Sequence, residues 1–555
     1  MEISGLTPEL ERNVRAYLSI AQQMGTEAEP LAENRIRRLD NQAPDQIRAA
    51  LQPFGYYDPT IHSSIRHEKD KWIVRYDIDP GKPTVLTVVD ISMQGGGRDS
   101  KSVRDAFASI MIKPGDVLNQ QRYEAAKQRL SQAAYNAGYI DASYTRSQIL
   151  VRPKAHEAEI HLNFDTGPRY YFGNITVQQD ILNPHFVAQF VPIKPGDPFA
   201  TDRLLALQQS LDNSGYFSSV IVDVKRDQTL NQRIPIVVRT EPRKTQDYTL
   251  GFGYGTDTGP RLSLGVELRR LNRRGHSFTA NLRLSSIEQT ATGEYRIPVQ
   301  DVSRDFLAFS TSLGAQTIGD WNTRQLLLGM SWQDQWWGVT RRIYFTAQRE
   351  RYWTAAITEP TTRELFFPGI QLTEQQADDP IYPRHASSWS LDLRGGSEAL
   401  GSDASFERLY MVVKLVRPLG KRVRYLLRGE YGAIRTSDFA SLPPSQRFYA
   451  GGEGSVRGYT YQSLSSSGPA GDSLGGRYLL DGSAELDVLI VGDYGAAVFY
   501  DVGNAGNDPW PSLKHGAGVG LRWKSPVGMI GIDFAHPFDE PGTSVRVHLS
   551  IGGEL

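Results

Sequence analysis

Apolar and polar residues alternate along most of the second half of the chain. Tyr248, Leu250, Phe252 and Tyr254 alternate with Thr249, Gly251 and Gly253, and Phe278, Ala280, Leu282 and Leu284 with Thr279, Asn281 and Arg283. The final stretch sets Val545, Val547, Leu549 and Ile551 against Arg546, His548 and Ser550. A period of two is that of a strand with two chemically different faces. About sixteen such segments fill the 310 residues from Gln246 onward. Strands near ten residues suit a tilted membrane span. Short connections (418–421, 491–494, 525–528) alternate with long ones (435–475, 503–514), as in outer-membrane barrels. A soluble sandwich shows the same period. The many charges on the polar face, among them Arg422, Arg424, Arg428, Asp481, Glu485 and Asp487, favour a wet lumen over a packed core.

The first half follows another rhythm. Three times a helical pattern stops at a glycine followed by aromatics or Ile: Phe54-Gly55-Tyr56-Tyr57, Ala137-Gly138-Tyr139-Ile140 and Ser214-Gly215-Tyr216-Phe217. Two strand-like runs and a Gly or Pro turn come next. The glycines lie 83 and 77 residues apart, and Lys113-Pro114-Gly115-Asp116 recurs as Lys194-Pro195-Gly196-Asp197, 81 residues on. Asn119 and Thr201 are expected to cap the helices of the second and third units, and Gly138 and Gly215 to end them in the left-handed conformation. The closing strands carry Val74, Tyr76 and Ile78, then Ile160, Leu162 and Phe164, then Ile234, Ile236 and Val238 on one face. A period near 80 exceeds that of a solenoid repeat and predicts tandem domains. The expected division is 1–84, 85–168 and 169–244, with a barrel over 245–555 and an in-folded loop at 435–475.

Composition narrows the function. Lys plus Arg number 61 and Asp plus Glu 62, a net charge of −1 that argues against a nucleic-acid partner. Cys is absent, which excludes thiolate chemistry, Cys-ligated zinc and disulfides. Mean hydropathy is −0.41. No run of about 18 apolar residues is present, so a helical membrane protein is excluded and a β-barrel is not. The opening Met1-Glu2-Ile3-Ser4-Gly5 has neither the basic nor the apolar region of a secretory signal, so the expectation is either a cytosolic protein or a signal already removed.

Catalytic motifs are few. No Walker A sequence or His-Glu-x-x-His occurs, and the ten His residues lack metal-ligand spacing, so no nucleotide, metal or other cofactor is expected. Residues 471–475 fit G-x-S-x-G, but that elbow needs a strand before it and a helix after it. Here a Gly/Ser/Pro loop precedes and a strand pattern follows, so Ser473 is not expected to be catalytic. Gly251, Gly253 and Gly255, like Gly516, Gly518 and Gly520, share one strand face each and are expected to lighten a lumen wall or permit bending. More informative is 447–459, Arg-Phe-Tyr-Ala-Gly-Gly-Glu-Gly-Ser-Val-Arg-Gly-Tyr, in the longest connection. In Phe499-Tyr500-Asp501-Val502-Gly503, period two puts Phe499 and Asp501 on one face and Tyr500 on the other. With Tyr500 toward lipid, Asp501 points inward.

Val456-Arg457-Gly458-Tyr459 with its Gly-Gly lead-in, together with the strand Phe499-x-Asp501-x-Gly503, resembles the outer-membrane insertase superfamily related to BamA. The resemblance implies tandem α+β POTRA domains before a sixteen-stranded antiparallel transmembrane barrel. It also implies that the Arg-Gly loop folds back into the lumen between strands eleven and twelve. There Arg457 is expected to meet Asp501, and an Arg457→Asp defect to be partly restored by Asp501→Arg. Three repeats resemble the TamA branch, where BamA has five POTRA domains and two-partner secretion pores have two. The implied setting is the outer membrane of a Gram-negative bacterium, with the POTRA domains in the periplasm. The implied partners are the lipid bilayer, outer-membrane protein clients and a TamB-like, inner-membrane-anchored periplasmic protein. The ending Gly552-Gly553-Glu554-Leu555 departs from the terminal aromatic common in porins.

A mechanism without catalysis or nucleotide follows from the strands. The first strand (Tyr248, Leu250, Phe252) and the last (Val545, Val547, Leu549, Gly552, Gly553) meet at a seam that the glycines weaken. An opened seam pairs with an incoming strand. The expected function is insertion or translocation of β-barrel or autotransporter-type proteins through that lateral seam. A secretion pore for unfolded clients and a conduit for phospholipid remain alternatives.

Overall fold

The computed structural model describes residues 1–24, 32–68, 71–299, 304–355, 359–379, 382–468, 471–525, 528–540, 542 and 545–552. One compact unit holds residues 1–178, 191–209 and 220–239, and a second holds 179–190, 210–219 and 240–555.

The first half builds three small sheets of one design. The first contains β1 (Glu2–Ser4), β2 (Thr60–Glu68) and β3 (Lys71–Asp79), with helices α1 (Pro8–Tyr17), α2 (Ser19–Met24) and α3 (Glu33–Leu51) between β1 and β2. The second contains β4 (Val85–Gln94), β5 (Ser143–Arg152) and β6 (Glu157–Asp165), with α4 (Lys101–Ala108) and α5 (Gln120–Asn136). The third contains β7 (Tyr171–Gln178), β8 (Phe217–Val224) and β9 (Arg233–Pro242), with α6 (Pro184–Val187) and α7 (Thr201–Asn213). In each sheet the closing strand lies in the middle, and the leading strand pairs with it in parallel. That central place explains why Val74, Tyr76, Ile78, Ile160, Leu162, Phe164, Ile234, Ile236 and Val238 are all buried. The leading strands β1, β4 and β7 went unread in the sequence. They precede the helices they belong with and gain their partner only through a parallel crossover.

The repeated turns have repeated geometry. The Lys113 N–H donates to Asp116 at 2.8 Å and the Lys194 N–H to Asp197 at 3.1 Å. Gly115 and Gly196 donate to the carbonyls of Leu86 and Phe172 at 2.8 and 2.7 Å. The helix-ending glycines also join successive units: Thr84 N–H donates to the Gly55 carbonyl, and Tyr170 N–H to that of Gly138, both at 2.8 Å. A Cβ on Gly55 would lie 2.7 Å from the Leu118 carbonyl, and one on Gly138 2.5 Å from that of Phe199, so both glycines admit the next unit's backbone. Asn119 caps α5, accepting from Arg122 N–H at 3.0 Å. Thr201 does not cap α7 as expected. The helix begins at Thr201 itself, whose hydroxyl has no partner among the described residues.

The second half is one antiparallel sheet of sixteen strands in chain order. They are β10 (Gln246–Gly255), β11 (Gly259–Leu268), β12 (Ser277–Leu284), β13 (Glu288–Pro298), β14 (Phe306–Ile318), β15 (Trp321–Trp336), β16 (Val339–Trp353) and β17 (Thr361–Ala377). They continue as β18 (Ala386–Gly396), β19 (Phe406–Leu419), β20 (Val423–Thr436), β21 (Tyr478–Val491), β22 (Tyr494–Gly506), β23 (Lys514–Ser525), β24 (Gly528–Pro537) and β25 (Arg546–Gly552). Strand length is uneven: β15 to β17 have 15–17 residues, whereas β10, β12 and β25 have 10, 8 and 7. Outward positions are mostly apolar, as with Leu326, Leu328 and Met330, while the opposite parity carries mostly polar and small residues. The sheet curls so that β25 lies beside β10. His548 of β25 is 3.6 Å from Asp257, just beyond β10, and the Leu549 N–H meets the Thr256 hydroxyl at 3.4 Å.

Candidate functional site

The loop 437–477 between β20 and β21 folds into the curl of the sheet and shares an apolar core with its wall. Leu442, Phe448 and Ala450 of the loop are buried with Leu365, Phe367, Phe406, Ile434 and Leu479 of the strands. Arg447 braces the loop from within, donating to the carbonyls of Leu442, Leu474 and Ala440 at 2.9, 2.8 and 3.0 Å.

At the tip, Arg457 reaches the wall. Its Nε donates to Asp501 Oδ2 at 2.7 Å, its Nη2 to Asp501 Oδ1 at 2.9 Å, and its backbone N–H to Oδ2 at 3.1 Å. The guanidinium carbon lies over the Phe499 ring, 3.4 Å from the centroid. Both Phe499 and Asp501 are buried on the inner face of β22, and Tyr500 is exposed on the other. Nη1 also donates to Glu485 at 2.6 Å and to Asp533 at 2.9 Å. Arg522 answers from β23, donating to Glu485 at 2.6 Å and to Asp533. Glu485 and Asp533 therefore each bridge two guanidiniums, and Ser483 donates to Asp501 at 2.6 Å. Arg424 extends the chain of charges to Asp487 at 2.7 Å. Buried charges are tolerable only when paired and hydrogen-bonded in this way.

The neighbours of Arg457 are equally constrained. Val456 is fully buried. Gly458 has φ +96°, and a Cβ there would lie 2.9 Å from the Pro537 nitrogen. Its N–H donates to His548 Nε2 at 3.0 Å. Accepting at Nε2 leaves the ring proton on Nδ1, which faces Asp257 at 3.6 Å. The Tyr459 hydroxyl lies 3.1 Å from the His515 carbonyl and accepts the Asp539 N–H at 3.1 Å. Asp539 lies in the connection after β24. The N–H of His515 donates to it and holds its carboxyl below the usual carboxylate range. Gly503 makes room for Asp481, whose Oδ2 would lie 2.9 Å from a Cβ there. Asp481 in turn accepts from the Ser455 hydroxyl and pairs with Arg428 at 2.7 Å.

The glycines of β23 differ in role from the expectation. A Cβ on Gly516 would lie 2.2 Å from the Arg457 carbonyl, and one on Gly518 2.1 Å from that of Phe534. They admit close backbone approach, of the loop in the first case. Gly251 and Gly253 have no such neighbour closer than 3.5 Å.

Among the seam residues, Tyr248, Leu250, Phe252, Val545 and Val547 are exposed and Leu549 is half-buried. Val545 precedes β25, Gly552 pairs with Met529 of β24, and Gly553 lies outside the described residues. Among the described residues no backbone ladder joins β10 to β25, whereas every other neighbouring pair from β10 to β25 is laddered. Sequence reasoning did not single out Arg522, Asp533 or His548 as site residues. Parity placed His548 on the polar face, but only the curl of the sheet sets it beside Gly458. Ser473 has serine and main-chain company: its hydroxyl meets Ser465 at 2.6 Å and the Gln462 carbonyl at 3.3 Å.

A sixteen-stranded antiparallel sheet with an arginine loop pinned inside, preceded by three small α/β domains, defines an outer-membrane β-barrel protein with periplasmic POTRA domains. The Omp85 superfamily model matches residues 238–555, and the chain belongs to that superfamily. Residues 1–80 match the POTRA model named for TamA domain 1, and 87–167 and 170–243 match the POTRA repeat of surface antigens. The outer membrane protein assembly factor BamA of Nitratidesulfovibrio vulgaris is 22% identical over 521 residues, covering 89% of this chain and 64% of that protein. BamA of Neisseria meningitidis serogroup B is 21% identical, covering 84% of this chain and 68% of that protein. The chain thus spans about two thirds of the length of these relatives. The crystal structure of BamA from Haemophilus ducreyi lacking POTRA domains 1–3 superposes with a TM-score of 0.72 at 15% identity, over 84% of this chain and 99% of that one, and shares the fold. The barrel lies in the outer membrane of a Gram-negative bacterium and the POTRA domains in the periplasm.

Proposed function

We propose that the chain is an assembly factor that inserts or translocates β-barrel or autotransporter-type proteins at the seam between β10 and β25. The observation that carries this reading is the contrast at the seam: two short strands lie side by side with no ladder among the described residues, in a sheet whose other neighbouring strands are all laddered. Unpaired N–H and C=O groups facing lipid are costly, and an incoming client strand relieves that cost by adding to the sheet. Energy comes from this pairing, with no catalytic step. Ser473, held among loop hydroxyls and carbonyls, takes no part in chemistry. The pinned loop packs on the barrel wall through a shared apolar core, which favours a lateral route over threading through the lumen. Three POTRA domains and the TamA-type first domain support a TamA-like role with a TamB-like, inner-membrane-anchored partner. Cysteines at Thr256 and Leu549, which face each other across the seam, oxidised in native membranes, test the route. A locked protein that handles clients at the reduced rate only after disulfide cleavage supports it, and full activity of the locked form overturns it.

A further inference from the structure

The outer wall carries a feature that seam and loop do not use. Arg324 of β15 stands directly opposite Arg351 of β16, and Arg349 comes next on the same face, opposite Leu326. All three guanidiniums have the outward parity of Leu328 and Phe345 and are exposed. Like charges directly across a ladder repel. The compensation is slight: Arg349 has Glu364 at 3.5 Å, Arg324 lies over the Trp353 ring at 5.7 Å, and Arg351 has no ion pair among the described residues. The three line a groove of about 460 Å³ together with Gln289, Leu313 and Leu326.

Its level in the membrane follows from the strand. Below Arg324, outward Leu326, Leu328 and Met330 lead to Trp332, whose ring lies 5.3 Å from Arg341. Eight residues of tilted strand rise roughly 20 Å, close to the apolar band of ~25 Å between the interfaces of such barrels. Trp332, Trp336 and Trp337 mark the periplasmic interface, because β10 starts on that side and strands alternate in direction. The arginines therefore sit at the outer-leaflet interface, with an apolar wall beneath them.

We propose that this groove binds a phosphorylated glycolipid of the outer leaflet, with lipid A phosphate on Arg324, Arg349 and Arg351 and acyl chains along Leu313, Leu326 and Leu328. A dianionic phosphate placed between the arginines removes the repulsion and offers the acceptors that guanidinium forks match.

The test uses the full chain, purified in detergent free of lipopolysaccharide, with bisphosphorylated lipid A as the probe and native mass spectrometry as readout. R324Q/R349Q/R351Q is expected to weaken binding at least about tenfold, as is enzymatic dephosphorylation of the lipid. Glu364→Gln, which removes the competing carboxylate, is expected to tighten it. Millimolar inorganic phosphate is expected not to displace the lipid. Equal binding by wild type and the triple variant overturns the proposal, as does displacement by inorganic phosphate, which would mark a simple anion site. Heat-modifiable gel migration shows that each variant is folded. Should the triple variant fail that check, the three single substitutions and Glu364→Gln decide in the same assay, and unchanged binding in all four overturns the proposal.

Discussion

Arg457 and Asp501 meet through two parallel N–H···O bonds, and the backbone N–H of the same arginine donates to the same carboxylate. This arrangement fixes both the side chain and the local main chain of a loop that enters the sheet from one end. Removing one member leaves buried charge behind. Arg457→Ala strands Asp501 and deprives Glu485 and Asp533 of one of their two cations. It is expected to destabilise the folded loop by about 3–5 kcal/mol, read as a lower urea midpoint in liposomes. The charge reversal that the sequence suggested is not expected to rescue function. An aspartate at 457 would face Glu485 and Asp533, which the reversed pair leaves in place. Recovery of full activity by Arg457→Asp with Asp501→Arg would show that those two contacts carry no weight.

His548 ties the last strand to the loop tip through the Gly458 N–H. His548→Ala is expected to leave the barrel folded and to raise local opening of the loop by several-fold to tenfold, about 1 kcal/mol. Hydrogen exchange at Gly458 measures it, and unchanged protection there would sever the link between seam and loop.

The seam strands should be the least protected of the sheet. β25 pairs with β24 over seven residues and β10 with β11 over ten, whereas β15 and β16 pair over fifteen. Backbone amides of 546–552 are expected to exchange orders of magnitude faster than those of 325–333, because local opening follows the number of bonds broken.

Gly516→Ala sets a Cβ against the Arg457 carbonyl and is expected to cost about 1–3 kcal/mol, with loss of loop protection from protease. Gly429→Ala, whose Cβ would meet nothing within 4 Å, is the matched control and is expected to be near neutral.

Acid should loosen the clip at Asp539, whose carboxylate accepts from the His515 N–H at 2.9 Å and from the Tyr459 hydroxyl at 3.2 Å. The folded carboxyl titrates below its free value, so its contribution is complete above about pH 4 and is lost as the pH falls through the folded value. Protease nicking near Tyr459 is expected to rise below pH 4 in the wild type. In Asp539→Asn the rise attributable to this clip is expected to be absent.

Local pattern carried the reading a long way because it reports on faces. Alternation alone put Asp501 inward beside Phe499 and Tyr500 outward, and it gave the number of strands in the sheet. Helix-stopping glycines and the Lys-Pro-Gly-Asp turns marked three repeats, since each stop needs a left-handed residue at a set place in a unit. What alternation does not contain is which inward residues become neighbours. Arg522 and Asp533 approach Arg457 only because the curled sheet brings β21 to β24 around one loop, and that depends on register and curvature accumulated over many strands. The leading strands of the small domains were hidden for a related reason, because their partners lie across a crossover. Likewise, Gly516 reads as a bend until the Arg457 carbonyl is found against it, and the seam reads as an ordinary pair until β10 and β25 are seen to have no ladder among the described residues. The sequence by itself determined the faces, the repeats and the strands of the large sheet. The tertiary structure decided the contacts among distant inward charges and the meeting of β25 with β10, because both are set by closure of the sheet and not by any local propensity.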